Sequence, residues 1–356
     1  MLGAWTTALV LAVAAPFVPN DPGFQTNRES LEAMSVPQAW SLTQGDPAVV
    51  IAVVDSGVAP DLDLSLLPID TTDESGHGTA MAAIAAARID NGIGVAGICG
   101  RCRIMPIKVS PSTVDVSAAI NSAVELGADV ITVTSAGKHS GAFAAVTNAL
   151  AHGVPVFLPA GDDDSDDTNA NRLASSNPGA VRVGSLEPDS NHGNWIDVAA
   201  ESSFTTFGPR PSPGGTSSAT AAVSGIAGLM LSCNPALTPA EVKRILMATS
   251  NPQKDVDVVA GGEVNAYQAV MRAGCRATPP AIVRLMVRTR GHGTVSRRPD
   301  DDTYNAGTVI ALRAKPKPNW RFARWDGVCH GRRATCTVRL MQSGVTTAVF
   351  RRKSGV

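Results

Sequence analysis

Val49-Val50-Ile51-Ala52-Val53-Val54-Asp55-Ser56-Gly57 is the stretch on which the reading of this chain turns. A continuous apolar run rich in Val and Ile predicts a strand covered on both faces, as in a parallel sheet, rather than one with a wet side. The run stops on an aspartate, which sets a carboxylate just past a strand's carboxyl end, where open α/β sheets hold their ligands. Working outward, similar runs recur at Ile104–Val109, Asp129–Thr134, Val154–Pro159 and Ala180–Gly184. Small-residue stretches of helical character lie between them at 78–88, 115–127 and 141–152. Repeated βα units predict a parallel sheet with helices on both faces. Ser217–Leu231 is helical in pattern and apolar all round, as a central buried helix is.

Two further islands stand in register with these units: Gly76-His77-Gly78-Thr79, and Gly215-Thr216-Ser217-Ser218-Ala219-Thr220-Ala221. His77 and Ser217 each fall at a predicted helix start. With Asp55 they supply an acid, a base and a nucleophile in the chain order Asp, His, Ser. A serine hydroxyl is a poor nucleophile without a base, and histidine titrates near neutral pH, so it can both take and return a proton. The flanking glycines would let a substrate backbone approach closely.

Length and composition suit a large core plus a smaller unit: 356 residues, 44% hydrophobic and 17% charged. The net charge of −1 conceals a split. Residues 281–356 carry 16 Lys/Arg against 4 Asp/Glu, a balance of +12, while residues 1–280 hold 14 against 27. Such asymmetry predicts two domains facing different surroundings. Ala8–Ala15 is an apolar run ending in small residues and reads as an export signal over 1–15, although no Lys or Arg precedes it; an apolar N-terminal strand is the alternative. It is too short to span a bilayer. The six cysteines fall in local pairs, Cys99/Cys102, Cys233/Cys275 and Cys329/Cys336, but sequence alone leaves other connectivities open. Cys99-Gly100-Arg101-Cys102 could instead be half of a zinc site, though no second Cys/His pair stands at finger spacing, or a redox motif; staples in an exported protein are the preferred reading.

From Val18-Pro19-Asn20-Asp21-Pro22 to the helix around Glu241-Val242-Lys243, the chain resembles the subtilisin-like serine proteases, the subtilases of peptidase family S8. The GTSxATA string at 215–221 is the most specific match. The resemblance implies an α/β fold of three layers, subtilisin-like and built on a parallel sheet. It also implies a serine endopeptidase acting on polypeptides, in which Asp55, His77 and Ser217 form the triad. No cofactor is implied for the chemistry; structural calcium is common in such proteins, and a monomer is expected. Substrate backbone would add as a strand along Ser135, Ala136 and Gly137, which match a substrate-binding SLGG segment.

Two departures accompany the resemblance. Subtilases place Asn after the strand matching Val154–Gly161, where its amide donates to the oxyanion; this chain has Asp162. An ionised carboxylate only accepts hydrogen bonds. Asp163, Asp164, Asp166 and Asp167 crowd it, and crowding of like charge favours protonation, so a neutral Asp162 would donate alongside the Ser217 backbone amide, with activity favouring acidic pH. The other reading is a solvated acidic loop or calcium site, with the Ser217 amide sufficing. Secondly, Val18–Pro22, which resembles a mature start, follows the apolar run with no room for a propeptide. That implies unaided folding, a different true start, or a subtilase fold that binds without catalysing.

Thr278-Pro279-Pro280 marks a linker over 277–282, which closes a peptidase domain at 16–276. Beyond it, Val283–Val287, Thr294–Ser296, Thr308–Ala314, Thr335–Leu340 and Thr346–Phe350 predict short strands of a small all-β C-terminal domain over 283–352. Gly291–Val295, Ala306–Leu312, Phe322–Cys329 and Cys336–Val338 resemble the divergent internalin-type B-repeat of exported bacterial proteins. That resemblance implies an attachment or spacer module on a secreted or cell-surface protein. Its basic surface suits an anionic cell-surface polymer, lipid headgroups or the acidic domain, or is simply solvated; no motif specific for nucleic acid is present. Trp325 and Phe322 are read as its core.

Overall fold

The fold is that of a computed structural model, which describes residues 15–69, 72–109, 116–135, 142–208, 211, 213–252, 261–276, 282–305, 307–340 and 342–353. The export signal expected at 1–15 lies outside these up to residue 14, and the linker expected at 277–282 up to residue 281. The chain forms two compact units that divide between Arg276 and Ala277.

The first unit begins with α1 (Phe24–Ala33) and α2 (Val36–Trp40). It then alternates β1 (Val50–Asp55), α3 (His77–Ala86), β2 (Arg103–Lys108), α4 (Val116–Glu125), β3 (Val130–Val133), α5 (Phe143–Ala151), β4 (Val156–Pro159), α6 (Arg172–Ser175), β5 (Val181–Ser185) and β6 (Val198–Ala200). It ends on α7 (Gly215–Cys233), α8 (Pro239–Thr249) and α9 (Ala266–Ala273). The strands form a six-stranded sheet in the order β2-β1-β3-β4-β5-β6. Every pairing in it is parallel.

The apolar run at 49–54 is buried throughout because alternate residues feed two cores. Ile51 and Val53 pack with α3, α7, α8 and α9. Val50, Ala52 and Val54 pack with α4 and α5 on the other face. This is the predicted subtilisin-like α/β architecture of three layers. α7 is long and apolar enough to cross a membrane, but 83% of its apolar window is buried inside this unit. Near the β5–β6 edge, buried Asp197 takes a bidentate Arg182 guanidinium (2.9 and 2.8 Å) and the Lys243 ammonium (2.8 Å). Burial pushes the Lys243 amine below its ordinary range, while Asp197 opposes that shift.

The second unit is all β: β7 (Ile282–Val283), β8 (Leu285–Arg290), β9 (Gly293–Arg298), β10 (Tyr304–Asn305), β11 (Thr308–Pro316), β12 (Trp320–Gly327), β13 (Thr335–Leu340) and β14 (Gly344–Arg352). Its sheets run β13-β11-β9, β12-β14-β8 and β10-β7. Ile310, Leu312, Trp325, Ala348 and Phe350 share its core. The Phe322 ring stands 5.4 Å from that of Trp325, and the Trp325 indole N–H donates to the Arg333 carbonyl at 3.0 Å. The cysteines pair as Cys99–Cys102, Cys233–Cys275 and Cys329–Cys336.

Candidate active site

The carboxyl end of the sheet gathers the three islands. Asp55 is the last residue of β1, its neighbour β3 hands on to Thr134, His77 opens α3, and Ser217 stands in the first turn of α7. Asp55 is fully buried. Its Oδ1 accepts from the Ser56 N–H at 2.6 Å, and its Oδ2 from the Thr134 hydroxyl at 2.6 Å. His77 Nδ1 lies 2.9 Å from Oδ1 and 2.8 Å from Oδ2. An ionised carboxylate can only accept, so this contact assigns the proton to Nδ1 and leaves Nε2 as the basic nitrogen.

Ser217 Oγ donates to the Thr134 carbonyl at 3.1 Å, not to His77, among the described residues. Thr134 therefore serves two groups: its hydroxyl holds the acid and its carbonyl holds the nucleophile. A change of Ser217 rotamer is what would deliver the hydroxyl to Nε2, and such bonds commonly tighten only when substrate is bound.

The residue that fixes α3 is one the sequence reading passed over. Asp73 Oδ2 accepts from the Thr79 N–H (2.8 Å) and hydroxyl (2.7 Å). Its Oδ1 accepts from the Gly76 N–H (2.8 Å) and the Ser56 hydroxyl (2.8 Å). Partial burial pushes the Asp73 carboxyl up, but these hydrogen bonds together outweigh it and hold the group below its ordinary range. An acid shortly before a predicted helix start is the signal that could have found it. Gly78 packs so closely on the Gly57 carbonyl that a Cβ there would overlap it. The glycine assigned to substrate approach thus brings two islands together.

Beyond β4, the Gly161 N–H donates to the Thr216 hydroxyl at 3.2 Å, and the Thr216 N–H donates to Asp162 Oδ1 at 2.7 Å. The Asp162 carboxyl lies over Gly215, whose φ of +69° and lack of Cβ permit the approach. Asp163, Asp164, Asp166 and Asp167 are exposed. Asp164 stands 3.7 Å from His192, and backbone and side-chain hydrogen bonds from Asn169 hold the Asp167 carboxyl below its ordinary range. The crowding of charge expected from the sequence is therefore spread into solvent. Of the expected substrate segment, Ser135 is half-buried next to Thr134, while Ala136 and Gly137 lie outside the described residues.

Among the described residues no cluster of three or more His, Cys, Asp or Glu is placed to hold a metal. A buried acid pair does occur near the N-terminus. Asp21 and Asp63 are 3% and 1% exposed and share Asn91, which donates its N–H to Asp21 and its amide to Asp63. Burial pushes the Asp63 carboxyl up to about 6, and the charge of Asp21 adds to the shift.

Residues 46–273 match the subtilase family, and residues 283–354 match the divergent InlB B-repeat domain. Thermitase of Thermoactinomyces vulgaris is 32% identical over 71% of this chain and 99% of its own length. The thermophilic serine proteinase of Bacillus sp. strain AK1 is 29% identical over 72% of this chain and 70% of its own. Among solved structures, a protease from Pseudoalteromonas arctica superposes with a TM-score of 0.63 at 26% identity, covering 72% of this chain and 99% of that one. The prenylagaramide maturation protease PagA superposes with a TM-score of 0.57 at 28% identity, covering 67% and 98%.

Proposed function

The chain belongs to the subtilase family of serine endopeptidases, and on that premise we propose that it cleaves peptide bonds through an acyl-enzyme on Ser217. The observation that carries this reading is the His77 imidazole seated on both oxygens of buried Asp55, with Thr134 bridging Asp55 to Ser217. In the proposed cycle, Nε2 of His77 takes the Ser217 proton as Oγ attacks the scissile carbonyl. The resulting imidazolium, stabilised by Asp55, returns that proton to the leaving amine, and water then hydrolyses the acyl group by the same relay. Substrate backbone lies along the segment that starts at Ser135.

The developing oxyanion faces the Ser217 backbone N–H and Asp162. With Oδ1 occupied by the Thr216 N–H, Asp162 can donate to the oxyanion only from Oδ2 and only as the neutral acid. The chain acts outside the cell, which three disulfides support, and its C-terminal module attaches it to an anionic cell-surface polymer. Calcium suits the pair Asp21 and Asp63: buried like charges with oxygen ligands are what a hard divalent cation neutralises. The test of the chemistry is pre-steady-state hydrolysis of a chromogenic peptide ester. A burst equivalent to one acyl group per chain, lost in Ser217→Ala and slowed by His77→Ala, is expected. A burst that survives Ser217→Ala refutes the assignment to Ser217, and no burst or turnover in the unsubstituted chain leaves a non-catalytic binding role for the site.

A further inference from the structure

The excess positive charge of residues 281–356 is sorted by the fold. Three of that region's four acids, Asp300, Asp301 and Asp302, sit in one loop, where Arg297 takes up Asp300 and Asp302. The fourth, Asp326, pairs with Arg324. The strands β9, β11 and β13 contain no acid at all. Along β11, alternation sends Ile310, Leu312 and Ala314 inward and leaves Val309, Ala311, Arg313 and Lys315 on the outer face. The register then sets Ala311 between Arg298 and Thr337, and Arg313 between Ser296 and Thr335. The result is a shallow depression floored by Ala311 and edged by Arg298, Arg313, Ser296, Thr335 and Thr337.

We propose that this outer face of the β13-β11-β9 sheet docks a phosphodiester-linked anionic polymer of the cell envelope; the inference rests on the reading of the module as an attachment unit. Guanidinium forks and hydroxyls approach the depression from all three strands. That suits a tetrahedral phosphate, whose oxygens point in several directions, better than a planar carboxylate. A membrane surface is disfavoured because Val309 is the one large apolar side chain exposed on this face among the described residues. Nucleic acid is disfavoured because the module's Trp, Phe and Tyr side chains belong to or pack on its core, leaving no stacking platform on this face. The outer face of the other three-stranded sheet is also basic, with Arg321 directly opposite Arg351, and provides an internal control.

The full chain carrying Ser217→Ala, to prevent proteolysis, is titrated with polyglycerol phosphate at low salt. Arg298→Gln with Arg313→Gln weakens binding at least tenfold, about tenfold being expected for each charge-assisted contact, and flattens the salt dependence. Arg288→Gln with Arg351→Gln removes the same charge from the other sheet and changes affinity less than about twofold. Arg313→Lys keeps the charge but loses the fork, and weakens binding measurably. All variants retain the parent's melting temperature, because the substituted side chains are exposed. Equal weakening by both double variants overturns the face assignment and leaves the attachment reading standing. Tighter binding to poly-γ-glutamate, single-stranded DNA or anionic vesicles overturns the polymer class. No binding to any of these polyanions overturns both readings.

Discussion

Asp162→Asn isolates the departure that distinguishes this site. An asparagine there keeps its carbonyl oxygen on the Thr216 N–H, where Asp162 Oδ1 now accepts at 2.7 Å, and puts an N–H donor in the place of Oδ2. The change is close to isosteric, so the helix start and Gly215 beneath the side chain stay as they are. In the wild type, Asp162 supplies an oxyanion donor only as the neutral acid, whereas the asparagine donates at any pH. One oxyanion donor is worth ~10²–10³ in turnover, or about 3–4 kcal/mol. The ratio of variant to wild-type kcat should therefore be near one at the acid end. Where Asp162 is a carboxylate, the ratio should reach ~10²–10³. The assay is kcat and kcat/KM for a chromogenic peptide from pH 4 to pH 10. Superposable profiles would falsify the neutral-donor proposal and leave the Ser217 backbone N–H as the working donor.

Three other substitutions probe the scaffold. Thr134→Val removes the hydroxyl bonded to Asp55 Oδ2 at 2.6 Å; kcat should fall about tenfold with the melting temperature nearly unchanged, and Thr134→Ser should restore it. Asp197→Ala leaves Arg182 and Lys243 facing each other without their acid, and should cost about 3–5 kcal/mol in denaturant unfolding; a loss under about 1 kcal/mol contradicts the account. In chelator, Asp63 holds a proton in the folded state up to about pH 6 that the unfolded chain releases near the ordinary value of 3.8. The folded carboxyl is the weaker acid, so stability should fall as pH rises from 4 to 7, by at most about 3 kcal/mol. Calcium should reverse that loss, and Asp63→Asn should abolish both the slope and the calcium response.

The sheet was legible because its strands bury both faces and read as unbroken apolar runs, and α7 because it has no polar side. β6, only three residues long, gave no comparable run. β12 hid for a different reason: a bulge between Phe322 and Arg324 breaks its two-residue period, so its aromatic residues were read as core without a strand to carry them. At the site, the identities of Asp55, His77 and Ser217 follow from chemistry and chain order. What the chain order does not contain is direction. That Thr134 ties Asp55 to Ser217, and that Gly78 packs on Gly57, depend on contacts between islands distant in the chain, whereas Asp73 caps α3 through contacts only three and six residues away. The acidic run after Gly161 shows the converse limit. Five carboxyls close in sequence suggest crowding, but the loop turns Asp163, Asp164, Asp166 and Asp167 outward, each into water.

The central claim is that Ser217 is a nucleophile activated by His77. Its most direct test is intact mass and peptide mapping of the full chain after exposure to a fluorophosphonate. The account predicts a single adduct on the peptide containing Ser217, absent in Ser217→Ala and formed far more slowly in His77→Ala. An adduct that persists in Ser217→Ala, or none at any pH from 4 to 10, would contradict it.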